Sequence, residues 1–181
     1  ALSEVERAFF WRWSGRFPTS HMPKQSGFSL VELLVVVAII LIIAAIAIPS
    51  LMRAKISANE ASAVSSIRSI HSTEVVYSLQ YPDIGFADDI TKLGPFPPNT
   101  PATPAHAGLL DFVLGCAAQP CHKSGYMFGV DQTSGSPVNT FRATGTPVTY
   151  QHTGVRGFCA PTPGNMSADP NGGTNCTDPI N

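Results

Sequence analysis

The sequence predicts an α+β fold: one long N-terminal α-helix, half of it apolar enough for a membrane and half amphipathic, packed on a small antiparallel β-sheet. Three observations predict it. Residues 28–48 carry only two polar side chains, Ser29 and Glu32. Residues 49–81 then place Met52, Ile56, Ala63, Ile67, Ile70 and Tyr77 at spacings of three, four and seven, the stripe of an amphipathic helix. Beyond residue 124, short β-prone runs alternate with glycine and proline, as antiparallel hairpins require.

Residues 1–27 read as a leader that ends in a short basic stretch, Lys24-Gln25-Ser26-Gly27. At about 1.5 Å per residue, the run 28–48 makes a helix about 31 Å long, the thickness of a bilayer core. From Leu33 to Ile48 no side chain is polar, so the helix is apolar on every face, unlike the striped helices that line a soluble core. Pro49 lacks a backbone N–H and is expected to kink or loosen the helix where the apolar half ends. In the amphipathic half, Arg53, Asn59, Glu60, Ser66 and Arg68 are assigned to the faces away from the stripe. Tyr81-Pro82 ends the helix, because a residue before proline disfavours the α region.

Residues 82–124 read as a proline-rich connecting loop. Its stretch GPFPPNTPATPAHAG (94–108) is limited to irregular or polyproline backbone, while LLDFVLG (109–115) suits a short helix. The sheet is placed in residues 125–160, with strands expected at 125–131, 139–144, 147–152 and 155–159. Residues 161–181, rich in Pro, Gly and Asn, are expected to form a C-terminal loop.

Composition narrows the function classes. Eleven Lys and Arg against twelve Asp and Glu give a formal charge of -1, so no basic surplus exists for nucleic acid, and no nucleic-acid partner is predicted. Four cysteines, Cys116, Cys121, Cys159 and Cys176, all follow the helix and suit an oxidising compartment. Cys116-x4-Cys121-His122 is related to the C-x2-C-H of covalent haem, and His106 and His122 beside these thiols invite a zinc reading. A second haem motif and the paired C-x2-C of zinc sites are both missing, and a local disulfide is the commoner use of such a pair. Asp169, Asn171 and Asp178 are oxygen ligands of the kind calcium takes, but without a calcium-loop spacing they read as a polar surface loop. No nucleophile elbow or phosphate loop is present. The chain is read as a non-enzyme, with no cofactor and no metal.

The apolar run admits two fates. Ala45-Ile46-Ala47 has the small-x-small form of a signal-peptidase site, and cutting there would discard the helix. Alternatively, the cut falls after Gly27 and the helix is retained. Glu32 favours retention. A carboxylate inside a membrane segment is expensive and calls for a partner or a function, which a disposable signal does not need. The competing use of Glu32 is an interfacial one, with its head group in water a turn into the helix.

Gly27-Phe28-Ser29-Leu30-Val31-Glu32, with Lys24 upstream and the apolar run downstream, resembles the cleavage and methylation motif of type IV pilins and the related type II secretion pseudopilins. Pro49 also falls where many pilins have a helix-kinking proline. The resemblance covers residues 24–49, and more loosely the helix to Tyr81. It implies cleavage between Gly27 and Phe28 by a membrane-embedded prepilin peptidase and N-methylation of Phe28. It further implies an inner-membrane precursor with its head outside the cytoplasm, an inner-membrane assembly platform, and assembly with other pilin subunits into a filament. In that setting the new ammonium of Phe28 meets Glu32 of a neighbouring subunit; each charge is costly alone in an apolar core and tolerable as a pair. Residues 22–27 make a compact leader of the family's kind, which makes Met22 the expected start and sets residues 1–21 apart from it. Cys159 and Cys176 resemble the C-terminal disulfide loop of many pilins, and Cys116–Cys121 is the pairing that accompanies it. The function expected is that of a structural subunit of a type IV pilus or related filament. Its alternatives are a pseudopilin, whose major form carries an Asp-Pro-Trp-Gly-like run not found here, and an exported haem-binding or enzymatic domain on an N-terminal anchor.

Overall fold

The computed structural model describes residues 27–95, 98 and 101–180. Residues 1–26 of the expected leader 1–27, Met22 and Lys24 among them, lie outside the described residues. Two units are distinguished, Ala1–Ile42 and Ile43–Asn181. The first, over its described part, is the beginning of a helix, α1 (Leu30–Gln80), whose remainder belongs to the second. The helix includes Pro49, whose missing N–H leaves the Ala45 carbonyl without its usual donor. It ends where Tyr81 precedes Pro82. Tyr81 N–H still reaches the Tyr77 carbonyl (2.9 Å), and Gly85, at φ 85°, turns the chain away while its N–H donates to the Tyr81 carbonyl (3.0 Å).

The rest of the second unit is a six-stranded antiparallel sheet in sequential order: β1 (Cys121–Lys123), β2 (Tyr126–Gly135), β3 (Val138–Pro147), β4 (Gly157–Thr162), β5 (Ser167–Asp169) and β6 (Asp178–Pro179). The long helix packed on this sheet is the α+β arrangement the sequence predicts. Along β2 the buried side chains are Tyr126, Phe128 and Val130, and along β3 Phe141 and Ala143, the two-residue alternation of strands with one wet face. Against them α1 places Ala63, Ile67, Ile70 and Tyr77, all fully buried or nearly so. The approach is close at Gly145. A Cβ there would stand 3.0 Å from the Phe128 ring and 3.2 Å from Ile67 Cδ1, so the glycine makes room for the helix.

The connector is more ordered than its prolines suggest. A 3-10 turn at Ile90–Leu93, capped by Asp89 through the Thr91 N–H (2.8 Å), sinks Ile90 and Leu93 into the core beside Ala87, Ala107 and Leu114. LLDFVLG forms one turn, closed by Gly115 N–H on the Asp111 carbonyl (2.7 Å), and not a helix. Gly94 and Gly115 touch backbone to backbone there, with no space for a Cβ on either.

Two strand expectations need correction. Residues 147–152 leave the sheet after Pro147 and enter a turn in which Thr149 N–H donates to the Thr153 hydroxyl (3.0 Å) and Gln151 takes φ 63°. The last expected strand begins at Gly157, not residue 155, because the Val155 and Arg156 N–H groups are given to a helix carboxylate instead of a neighbouring strand. The sheet also extends into residues 161–181 as β5 and β6, held by Ala168 in the core and by partly buried Met166 and Ile180.

Candidate functional site

Ser29 precedes the first helical residue, and its carbonyl accepts the Leu33 N–H (3.2 Å). Glu32, three residues on, returns its Oε2 to the Ser29 N–H (3.0 Å). This is the carboxylate half of a capping box, and Ser-x-x-Glu is its sequence signature. The carboxylate also stands at the positive end of the helix dipole. The motif that attracted attention as a processing signal therefore doubles as a helix start, a signal present in the sequence but not used above.

Around it the surface is unusual. Phe28 is 83% exposed, and from Leu30 to Met52 the large apolar side chains of α1 remain exposed on every face. The helix is long and apolar enough to cross a membrane. Among the described residues, nothing stands within 4 Å of where a Gly27 side chain would begin.

Where α1 meets the sheet, a second group of polar residues anchors it. Glu60 Oε1 accepts the Val155 (3.0 Å) and Arg156 (3.1 Å) N–H groups, and its Oε2 accepts from Nε (3.0 Å) and Nη2 (2.8 Å) of Arg156. Burial pushes the Glu60 carboxyl up, but the donors from Val155 and Arg156 together outweigh it and hold the group below the usual carboxylate range. Asn59 donates to the Thr153 carbonyl (2.8 Å), and the Tyr126 hydroxyl donates to the Arg156 carbonyl (2.8 Å), where Gly154 leaves space for its ring. Glu60 and Ser66, assigned above to wet faces, are both buried. A periodic count sorts apolar residues only, and the partner of Glu60 lies far along the chain.

The cysteines are paired Cys116–Cys121 and Cys159–Cys176, so neither Cys116 nor Cys121 is a free thiol for haem or zinc. Asp169, offered above as an oxygen ligand, is buried and spends Oδ1 on the Asn171 N–H (2.8 Å) and Oδ2 on the Asn175 N–H (2.9 Å). These bonds shape the loop that follows β5.

An exposed apolar helix that starts at Leu30, two residues past the Gly27–Phe28 junction, and carries Glu32 in its first turn fits a membrane-anchored precursor. Residues 22–48 match the family model described as the prokaryotic N-terminal methylation motif, the signature of type IV pilins and pseudopilins. The family that bears it is structural, and the motif implies processing by prepilin peptidase and assembly with other pilin subunits. No curated protein and no solved structure matches the chain.

Proposed function

We propose that this chain is a structural subunit of a type IV pilus or closely related filament. It inserts in the inner membrane as a precursor with its head in the periplasm, is cut after Gly27, is methylated on Phe28 and is drawn into the filament by an assembly platform. The observation that carries the reading is the coincidence of the methylation motif with a helix whose large apolar side chains, from Leu30 to Met52, are exposed among the described residues. Lipid covers that surface before assembly and neighbouring helices cover it afterwards. In the filament core the Phe28 ammonium of one subunit pairs with Glu32 of another and sets the register between them, as a lone polar residue does in a coiled coil. Pro49 gives the helix a point of adjustment between its apolar half and the half fixed to the head. The Cys116–Cys121 and Cys159–Cys176 bridges keep the exported head intact outside the cytoplasm.

The test is to shear surface filaments from cells producing the chain and image them by electron microscopy. The reading expects the mature chain in the sheared fraction, in filaments labelled by an antibody to the head. A chain confined to the membrane in cells whose peptidase and platform are active would overturn it.

A further inference from the structure

The buried stripe of α1 is interrupted by a carboxylate with no access to solvent. Between Ile70 and Tyr77 the core position is occupied by Glu74, which is 0% exposed. Its Oε2 accepts the Ala87 N–H (2.8 Å), whereas Oε1 is buried with no hydrogen-bond partner among the described residues. A charged carboxylate with one unpaired oxygen is among the costliest groups to bury, and the neutral acid is much cheaper. The surroundings add to the cost of ionising it. Asp88 faces it from the connector, itself bridged to Lys92, and Tyr77 faces it from the next turn of α1. The Tyr77 hydroxyl is engaged by the Pro104 carbonyl (2.7 Å), in the loop that bears His106.

What Glu74 holds is a whole section of connector. Ala87 begins the stretch that buries Ile90 and Leu93, and on that stretch lies the next layer: Ala107 N–H donates to the Lys92 carbonyl (2.8 Å), and the Leu109 (2.9 Å) and Leu110 (2.8 Å) N–H groups donate to the Leu93 carbonyl. We infer that Glu74 is a proton-operated latch: with its proton it fastens the Ala87–Leu93 section to α1, and loss of the proton loosens that section and the layer resting on it.

Burial raises the Glu74 carboxyl from 4.5 to about 8, with the Ala87 hydrogen bond opposing and Asp88 reinforcing the shift. A folded-state value above the unfolded one means that stability is fully present below the unfolded value and is lost as pH rises toward the folded value. Opening of the section should therefore increase by up to about tenfold per pH unit between pH 5 and pH 8, then level off.

The experiment is hydrogen–deuterium exchange of the full chain in detergent micelles, following the peptide that spans residues 84–95 and correcting for the intrinsic pH dependence of exchange. Protection in this peptide is expected to fall steeply from pH 5 to pH 8, and Glu74→Gln is expected to make it nearly independent of pH. Protection that is flat in the wild-type chain, or an unchanged slope in the variant, would overturn the inference. Should Glu74→Gln not fold, carbon-13 titration of the Glu74 carboxyl in the wild-type chain decides: a midpoint near 7–8 supports the latch, and one near the ordinary glutamate value refutes it.

Discussion

At the start of α1 the Glu32 Oε2 accepts the Ser29 N–H at 3.0 Å, so any substitution of Glu32 touches a helix cap as well as the proposed inter-subunit pair. Glutamine separates the two, because its amide oxygen keeps the cap while the charge is lost. Glu32→Ala and Glu32→Gln should both leave the precursor inserted and both impair filament yield, since an uncompensated ammonium at Phe28 remains costly to bury. Loss of the cap alone costs about 1 kcal/mol in one helix turn and is insufficient to stop assembly. Filament yields that are normal in Glu32→Gln but low in Glu32→Ala would assign the residue to capping and contradict the pair. Leu33→Ala, which removes only apolar surface, should do much less.

Glu60 presents a different balance at the same scale. Its carboxylate takes four donors from Val155 and Arg156, and its value lies below 4.5. A depressed folded value contributes stability that is present above the unfolded value and lost as pH falls through the folded one. Glu60→Ala leaves two backbone N–H groups unpaired and should cost about 2 kcal/mol near neutral pH, with a smaller loss at acid pH once the carboxylate of the wild-type chain is protonated. Thermal unfolding of the head at the two pH values checks this. Equal losses at both would show that the pair contributes no pH-linked stability.

At the scale of elements, α1 was legible because a 21-residue apolar run and a three-four stripe are local patterns, and the proline after Tyr81 marks the end of the helix. Strands β2 and β3 were legible in part, as β-prone runs at 125–131 and 139–144 between glycines and prolines, each shorter than the strand observed. The 3-10 turn at Ile90–Leu93 was not, because its Asp89 cap lies inside a proline-rich stretch whose buried residues have partners outside the connector. Glu60 and Glu74 escaped detection for a related reason: each is a carboxylate whose place in the fold depends on donors from elsewhere, Arg156 and Ala87. A gap of seven between Ile70 and Tyr77 was the one visible trace of Glu74. The C-terminal strands β5 and β6 are only three and two residues long, too short to carry a pattern.

Those two strands depend on the bridge beside them. Cys159, in β4, and Cys176 are 17 residues apart in sequence, and for a loop of that length the chain-entropy model gives roughly 3 kcal/mol. Cys176→Ser should release β5 and β6, seen as rapid amide exchange over residues 165–180, while β2 and β3 keep their protection. Peptide mapping without reduction should recover Cys116 with Cys121 and Cys159 with Cys176. Crossed pairs such as Cys116–Cys159 would contradict the arrangement.

On the scale of the whole molecule, the chain combines a head with its own buried core and a helix whose first half has no core of its own. A soluble protein does not leave such a surface uncovered, and under the proposed function membrane covers it first and other subunits later. We propose that the apolar helix is retained in a mature chain that begins at Phe28. Mass spectrometry of the mature N-terminus, from protein isolated from its own cell envelope, tests that most directly. The expected result is a chain that starts at Phe28 with one added methyl group, and an unprocessed precursor when Gly27 is changed to Ile; a mature chain that starts at Ile48, with the helix discarded, would contradict retention of the helix.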